Sequence, residues 1–157
     1  MVYRNTVDLE VVWTREFGAE YTEARHLSVS ADGRMVAAAV TDNAFSDKQT
    51  KFYVGIYDGN DGRELTRLPV TGTDGLGLSA DGKLIAVGDR KSQSDPTVHI
   101  YEISSGRRLA SVAHDHLVNQ RSLFLVGGLS GIEFTSDGKY LVSSGAMNTK
   151  IWAVGRV

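Results

Sequence analysis

Three stretches of the chain share one pattern of apolar and polar positions. They are LSVSADGRMVAAAV (27–40), LGLSADGKLIAVGD (76–89) and IEFTSDGKYLVSSG (132–145). In each, four or five alternating residues lead to an Asp-Gly pair and a basic residue, and an apolar run follows. Alternation places successive side chains on opposite faces of a strand. Asp-Gly between two such runs marks a hairpin, because both residues tolerate positive φ. The pattern therefore predicts strand–tight turn–strand three times, turning at Asp32-Gly33, Asp81-Gly82 and Asp137-Gly138.

A second unit follows each hairpin. FYVGIYDGNDGREL (52–65) and TVHIYEISSGRRLASV (97–112) match one another, and TKIWAVGRV (149–157) matches their first half. Tyr57, Tyr101 and Trp152 take the same place, preceded by Ile56, Ile100 and Ile151. A Gly-rich turn comes next, and Leu65 and Leu109 each lie 8 residues past the aromatic. With four strands a to d per repeat, the chain reads d, abcd, abcd, abc. The leading d is VVWTREF (11–17), whose Trp13-Thr14-Arg15 echoes Leu65-Thr66-Arg67. The expected units are strand d at 11–17, one blade at 27–70, a second at 75–113 and an incomplete third at 130–154. Asp81 follows Asp32 by 49 residues and Asp137 follows Asp81 by 56. The variable length falls in the b–c and d–a connections, while the a–b and c–d turns stay short.

At these residues the chain resembles the WD-repeat β-propeller family. The pattern [Val/Ile]-x-[Leu/Phe]-[Ser/Thr]-x-Asp-Gly-[Lys/Arg] is similar to the family's a–b hairpin, and Ile-[Tyr/Trp]-[Asp/Glu] to the end of its c strand. The resemblance covers about residues 10–157. It implies an all-β fold, a β-propeller of four-stranded antiparallel blades, with three blades' worth in this chain. Only Trp152 is Trp, and Ala153 follows it rather than Asp. The Gly-His pair that opens family repeats is absent, so most of the family's Asp–His–Ser/Thr–Trp network is missing. Quinoprotein-like and lactonase-like propellers stay open as relatives.

Composition narrows the function classes. The chain has 157 residues, 17 of them Gly, no Cys, and a net charge of −2. Without Cys there are no disulfides, thiolate metal sites or thiol catalysis. Near-neutral charge gives no general attraction to nucleic acid or acidic membranes. No apolar run reaches a membrane-spanning length, and no signal peptide is visible. The expected location is the cytoplasm, with no nucleic-acid or membrane partner.

Propellers typically have about 4–8 blades, and three leave two end faces open. About 500 Å² of open sheet face represents about 12 kcal/mol of unrealised burial. The expectation is a homo-oligomer, with a dimer favoured. Strand 11–17 of each copy would add to strand c of the other, closing a six-bladed ring. A section of a longer propeller protein is the alternative.

The long connections 18–26, 42–51, 90–96 and 113–129 all belong to one rim of such a ring, where binding residues concentrate. The candidate interaction residues, for a protein or peptide partner, are Tyr21, Arg25, Phe45, Lys48, Arg90, Lys91, His114, His116, Arg121 and Phe124. His114-Asp115-His116 puts two imidazoles on one side of an extended chain, but a third metal ligand is not evident. The apolar segment 122–134 reads as packing under the third blade. Asp58-Gly59-Asn60-Asp61-Gly62 reads as the c–d turn, because its Gly offset and Pro69 do not suit a calcium loop. No Ser/His/Asp or paired-carboxylate constellation is legible, so no catalytic residue, cofactor or metal is expected. A hydrolase or lactonase-like enzyme, or a small-molecule binder, using the channel mouth is the alternative activity.

Overall fold

The computed structural model describes residues 2–4, 10–17, 22–42, 49–90, 96–113, 129–145 and 148–155. Thirteen strands occur among them: β1 (Val2–Arg4), β2 (Val11–Thr14), β3 (Glu23–Val29), β4 (Met35–Asp42), β5 (Lys51–Asp58), β6 (Glu64–Val70), β7 (Gly75–Leu78), β8 (Leu84–Arg90), β9 (Pro96–Glu102), β10 (Arg108–Ala113), β11 (Leu129–Phe134), β12 (Tyr140–Gly145) and β13 (Thr149–Ala153). They form antiparallel meanders in chain order. β3–β6 make blade one, β7–β10 blade two, and β11–β13 a three-stranded blade three, while β1 and β2 pair separately. Among the described residues no helix is long and apolar enough to cross a membrane.

The three a–b hairpins are built alike. Gly33, Gly82 and Gly138 have φ near +70° (70°, 68° and 69°), a left-handed conformation that costs other residues energy. The turns are wider than a two-residue loop: Ser30 N–H donates to the Met35 carbonyl and Gly33 N–H to the Ser30 carbonyl. The aspartate acts through its carboxylate. Asp32 Oδ1 accepts from Arg34 N–H at 3.0 Å and from the Ser30 hydroxyl at 2.7 Å. Asp81 repeats this with Lys83 and Ser79, and Asp137 with Lys139 and Thr135. These bonds favour the charged form. The Arg34 amide is the main cause that lowers the pKa of Asp32, and the Ser79 and Thr135 hydroxyls do so for Asp81 and Asp137.

Blades pack face to face, and the inner strands β3, β7 and β11 carry most contacts between them. Ala37, Ala39, Val54, Ile56 and Leu68 of blade one meet Leu76, Leu78, Ile85, Val87 and Tyr101 of blade two. Ala86 and Val98 of blade two meet Leu129, Ile132, Phe134 and Leu141 of blade three. Small residues permit this closeness, since a Cβ on Gly77 would stand 2.7 Å from the Ile132 carbonyl oxygen. Polar links cross the first seam as well: Leu78 N–H donates to Ser28 Oγ at 2.9 Å, and the Thr41 and Thr73 hydroxyls are bonded at 3.1 Å.

Two expectations need correction. The leading strand spans 11–14 rather than 11–17, and its partner is β1, which no periodicity announced. The echo of Trp13 with Leu65 also fails. Trp13 is buried against blade one, whereas Leu65 is an exposed bulge residue where the β5–β6 register shifts. A one-residue offset reverses the face a strand residue presents.

Candidate functional site

The two end faces of the blade stack are its most unusual surfaces. Leu27, Leu76 and Ile132 stand five residues before their turn aspartates, and Val29, Leu78 and Phe134 stand three before. In blades two and three these side chains are 6% or 7% exposed, because a blade precedes them. In blade one Leu27 is 54% exposed and Val29 44%. The far end behaves the same way. Ile56 is fully buried against blade two, while Ile151, its counterpart in blade three, is 69% exposed. Cross-strand pairing puts Val142 and Glu133 on the same face as Ile151, with Tyr140 and Ala153 alongside.

β2 covers part of the first open face. Trp13 and Phe17 pack on Val36, Ala38, Val40, Tyr53 and Tyr57. Trp13 Nε1 donates to the Gly59 carbonyl at 2.9 Å, and its ring lies where a Cβ on Gly62 would be, 2.7 Å from Cδ2. Leu68 sits similarly near Gly106, whose Cβ would be 3.4 Å from Leu68 Cδ2. Gly62 and Gly106 both have left-handed backbones in the c–d turns, with φ of 71° and 68°. β2 therefore meets blade one much as β6, a fourth strand, meets blade two. Beside it, Glu64 holds Arg67 through two bonds of 3.0 Å and Arg15 through one of 2.9 Å. The Arg67 guanidinium lies 4.1 Å from the Tyr53 ring centre, and that of Arg15 lies 4.8 Å from Tyr57.

Three neighbouring grooves follow the rim of blade one, where β4 ends, β5 begins and β6 leads into β7. The largest, of about 670 Å³, is lined by Asp42, Lys51, Phe52, Tyr53, Arg67 and Pro69 among others. One of about 220 Å³ adds Arg15, Phe17 and Thr22, and one of about 350 Å³ adds Arg25, Thr41, Thr73 and Asp74. The b–c and d–a connections thus share one rim. Burial lowers the pKa of nearby His26 against the upward pull of Asp74 and with a smaller downward push from Arg25.

Arg25, expected in a rim loop, is instead an exposed residue of β3, where its Nε donates to Glu23 Oε2 at 2.7 Å. Arg90 is the last residue of β8, paired with Pro96. Both strands extend further than the apolar pattern indicated, because ladder bonds continue past the last apolar residue. Tyr21, Phe45, Lys48, Lys91, His114, His116, Arg121 and Phe124 lie outside the described residues.

One polar chain was not legible in the sequence. His99 Nδ1 is 2.8 Å from Ser111 Oγ, and His99 Nε2 is 3.4 Å from Asp89 Oδ2, which also accepts from the Thr71 hydroxyl. Only cross-strand register unites these residues, since His99 lies opposite both Ser111 and Val87. The imidazole and carboxylate are buried at the seam with blade one. In blade three Trp152 Nε1 donates to Ser143 Oγ at 2.9 Å.

No family model matches this sequence, and no curated protein does. Solved structures do. The Swd1 β-propeller domain of Myceliophteria thermophila matches with a TM-score of 0.62 and 13% identity, over 93% of this chain and 42% of that one. The β-propeller domain of the Trilobed protease from Pyrococcus furiosus, described as having an open velcro topology, matches with a TM-score of 0.55 and 15% identity, over 85% and 38%. A eukaryotic initiation factor matches with a TM-score of 0.59 and 13% identity, over 88% and 31%. This chain thus spans less than half the length of each. With the three packed antiparallel sheets, these likenesses show an all-β fold that is part of a β-propeller, about three blades of it.

Proposed function

We propose that this protein is a non-catalytic, WD-like interaction scaffold of the cytoplasm that closes a six-bladed ring with a second copy of itself. The observation that carries this reading is the exposure of Leu27, Val29 and Ile151 at places buried elsewhere in the stack. The first face lacks a preceding blade and the last a following one. Two copies related by a two-fold axis would satisfy both faces of each with the packing used inside the chain, and would leave no end open. The rim of blade one would then present its grooves to a protein or peptide. Their floor, the Tyr53–Arg67 stack beside Phe52, has the aromatic and Arg chemistry common at interface hot spots.

Light scattering tests the ring. The expected mass is twice the 17.0 kDa of one chain, and Leu27→Asp or Ile151→Asp should return it to one. A stable 17.0 kDa species for the unaltered protein would overturn the two-copy ring. It would favour the second reading, in which further blades belong to a longer polypeptide. The shares of 42% and 38% of the matched propellers support that alternative.

A further inference from the structure

We propose that Ser111 is a modification site: a serine activated by His99 that takes an acyl group from an activated ester. The proposal goes beyond the interaction scaffold and does not depend on the two-copy ring.

Three strands bring the parts together. Asp89 is on β8, His99 on β9 and Ser111 on β10. Antiparallel register sets His99 directly opposite Ser111 on one side and Val87 on the other. Val87 and Asp89 share a face of β8, so Asp89, His99 and Ser111 all lie on the face turned to blade one. The ionisable groups are deep and the hydroxyl is not. His99 is 4% exposed and Asp89 1%, whereas Ser111 is exposed. A reagent in solution can reach the serine oxygen while its base stays shielded from water.

The acceptors fix where the imidazole hydrogen sits. Asp89 Oδ2 stands 3.4 Å from His99 Nε2 and accepts from the Thr71 hydroxyl. An ionised carboxylate only accepts, so Nε2 carries the hydrogen. Nδ1 keeps its lone pair, and the Ser111 hydroxyl donates to it across 2.8 Å. Nucleophile, base and orienting carboxylate thus stand in order, with Asp89 as the positioning residue. When Ser111 Oγ bonds to the acyl carbon, its proton passes to Nδ1. The bond to the leaving alcohol breaks with its electron pair, and the imidazolium returns the proton to that alcohol. The products are a serine ester and the free alcohol, with no change of oxidation state.

The step is stoichiometric. Ser111 lies within a strand whose backbone the β9–β10 ladder engages. It does not stand at a turn or helix N-terminus that gathers N–H donors around one oxyanion. The serine ester therefore persists, in keeping with a scaffold that turns over no substrate.

Treatment with p-nitrophenyl acetate, with the ester located by peptide mass, tests the site. Ser130 is the internal control, being exposed but bonded to Ser144 rather than to an imidazole. Ser111 should be acetylated at least about tenfold faster than Ser130, where a positioned base can give about 10²–10⁴-fold. Its rate should rise with pH and level off once the imidazole is neutral, and nitrophenol release should stop near one equivalent. Ser111→Ala should remove the label. Asp89→Asn offers Nε2 a donor, places the imidazole hydrogen on Nδ1, and should lower Ser111 labelling to the Ser130 level in the folded variant. Equal rates at Ser111 and Ser130 in the unaltered protein would overturn the proposal. So would a Ser111 rate that never levels with pH, sustained nitrophenol release, or full labelling of folded Asp89→Asn. The comparison within the unaltered protein decides the matter even if Asp89→Asn does not fold.

Discussion

Leu27 and Leu76 occupy the same place in successive hairpins, five residues before the turn aspartate, yet Leu27 is exposed and Leu76 is packed against blade one. Their local sequences are nearly alike, so the difference comes from what stands opposite. A propeller repeat is apolar on both faces because each blade is meant to lie between two others. The exposed leucine stands on a face that no other blade covers among the described residues.

This makes the two positions separable. Leu76→Ala leaves a cavity in the first seam and should cost about 2–4 kcal/mol in chemical denaturation. Leu27→Ala, measured on the single chain, should cost less than about 0.5 kcal/mol. Comparable losses at both positions in the single chain would contradict the exposure of Leu27.

Gly62 and Gly138 offer a second contrast. Both have left-handed backbones, with φ of 71° and 69°. A Cβ at Gly138 meets nothing within 4 Å, whereas at Gly62 it meets Trp13 Cδ2 at 2.7 Å. Gly138→Ala should cost only the backbone term, about 1 kcal/mol. Gly62→Ala adds a clash with a buried ring and should cost about 2–4 kcal/mol, with a change in Trp13 fluorescence. Equal costs would mean that β2 is not seated on the c–d turn.

Much of this architecture is legible in the chain, and the failures have physical causes. Alternation and Asp-Gly turns locate the hairpins because a strand's period and its turn residues are both local. The face presented by Trp13 is not local: Trp13-Thr14-Arg15 matches Leu65-Thr66-Arg67 by residue type, while a bulge at Leu65 changes the parity. β1 is three residues long, too short for alternation to show. Asp89, His99 and Ser111 are spaced 10 and 12 apart, so only sheet register unites them. The rim grooves draw on Asp42 and Lys51, inside the expected 42–51 connection, but also on Tyr53 and Arg67, which the apolar pattern assigns to scaffold.

The turn aspartates set an acid limit. Asp32, Asp81 and Asp137 are held below the ordinary 3.8 by hydrogen bonds to their charged forms. Near and below 3.8 the unfolded chain binds more protons at these sites than the folded one, so folding stability rises with pH. Their contribution is complete above 3.8 and disappears as pH falls through the lower folded values. The triple variant Asp32→Asn/Asp81→Asn/Asp137→Asn should be less stable than the parent at pH 7. Its denaturation midpoint should also fall less steeply on acidification. An unchanged acid slope would show that these carboxylates gain nothing from their turns.

Tyr57 and Tyr101 occupy one repeat position, yet removing their hydroxyls should act in opposite directions. Tyr57 is fully buried, and its hydroxyl has no hydrogen-bond partner among the described residues. Its ring lies along the strand over Gly55, where a Cβ would be 2.2 Å from Oη. Burial raises the pKa of both phenols, but the charge of Arg108, and more weakly its donation to Tyr101 Oη, lowers that of Tyr101 in part. A buried hydroxyl without a partner costs about 1–3 kcal/mol, whereas one that accepts a hydrogen bond contributes about 0.5–1.5 kcal/mol. Tyr57→Phe should therefore stabilise the protein by about 1 kcal/mol, and Tyr101→Phe should destabilise it by a similar amount. Thermal and urea unfolding of the two variants, at equal protein concentration, gives the signs directly. A destabilised Tyr57→Phe would mean that the hydroxyl is satisfied in solution.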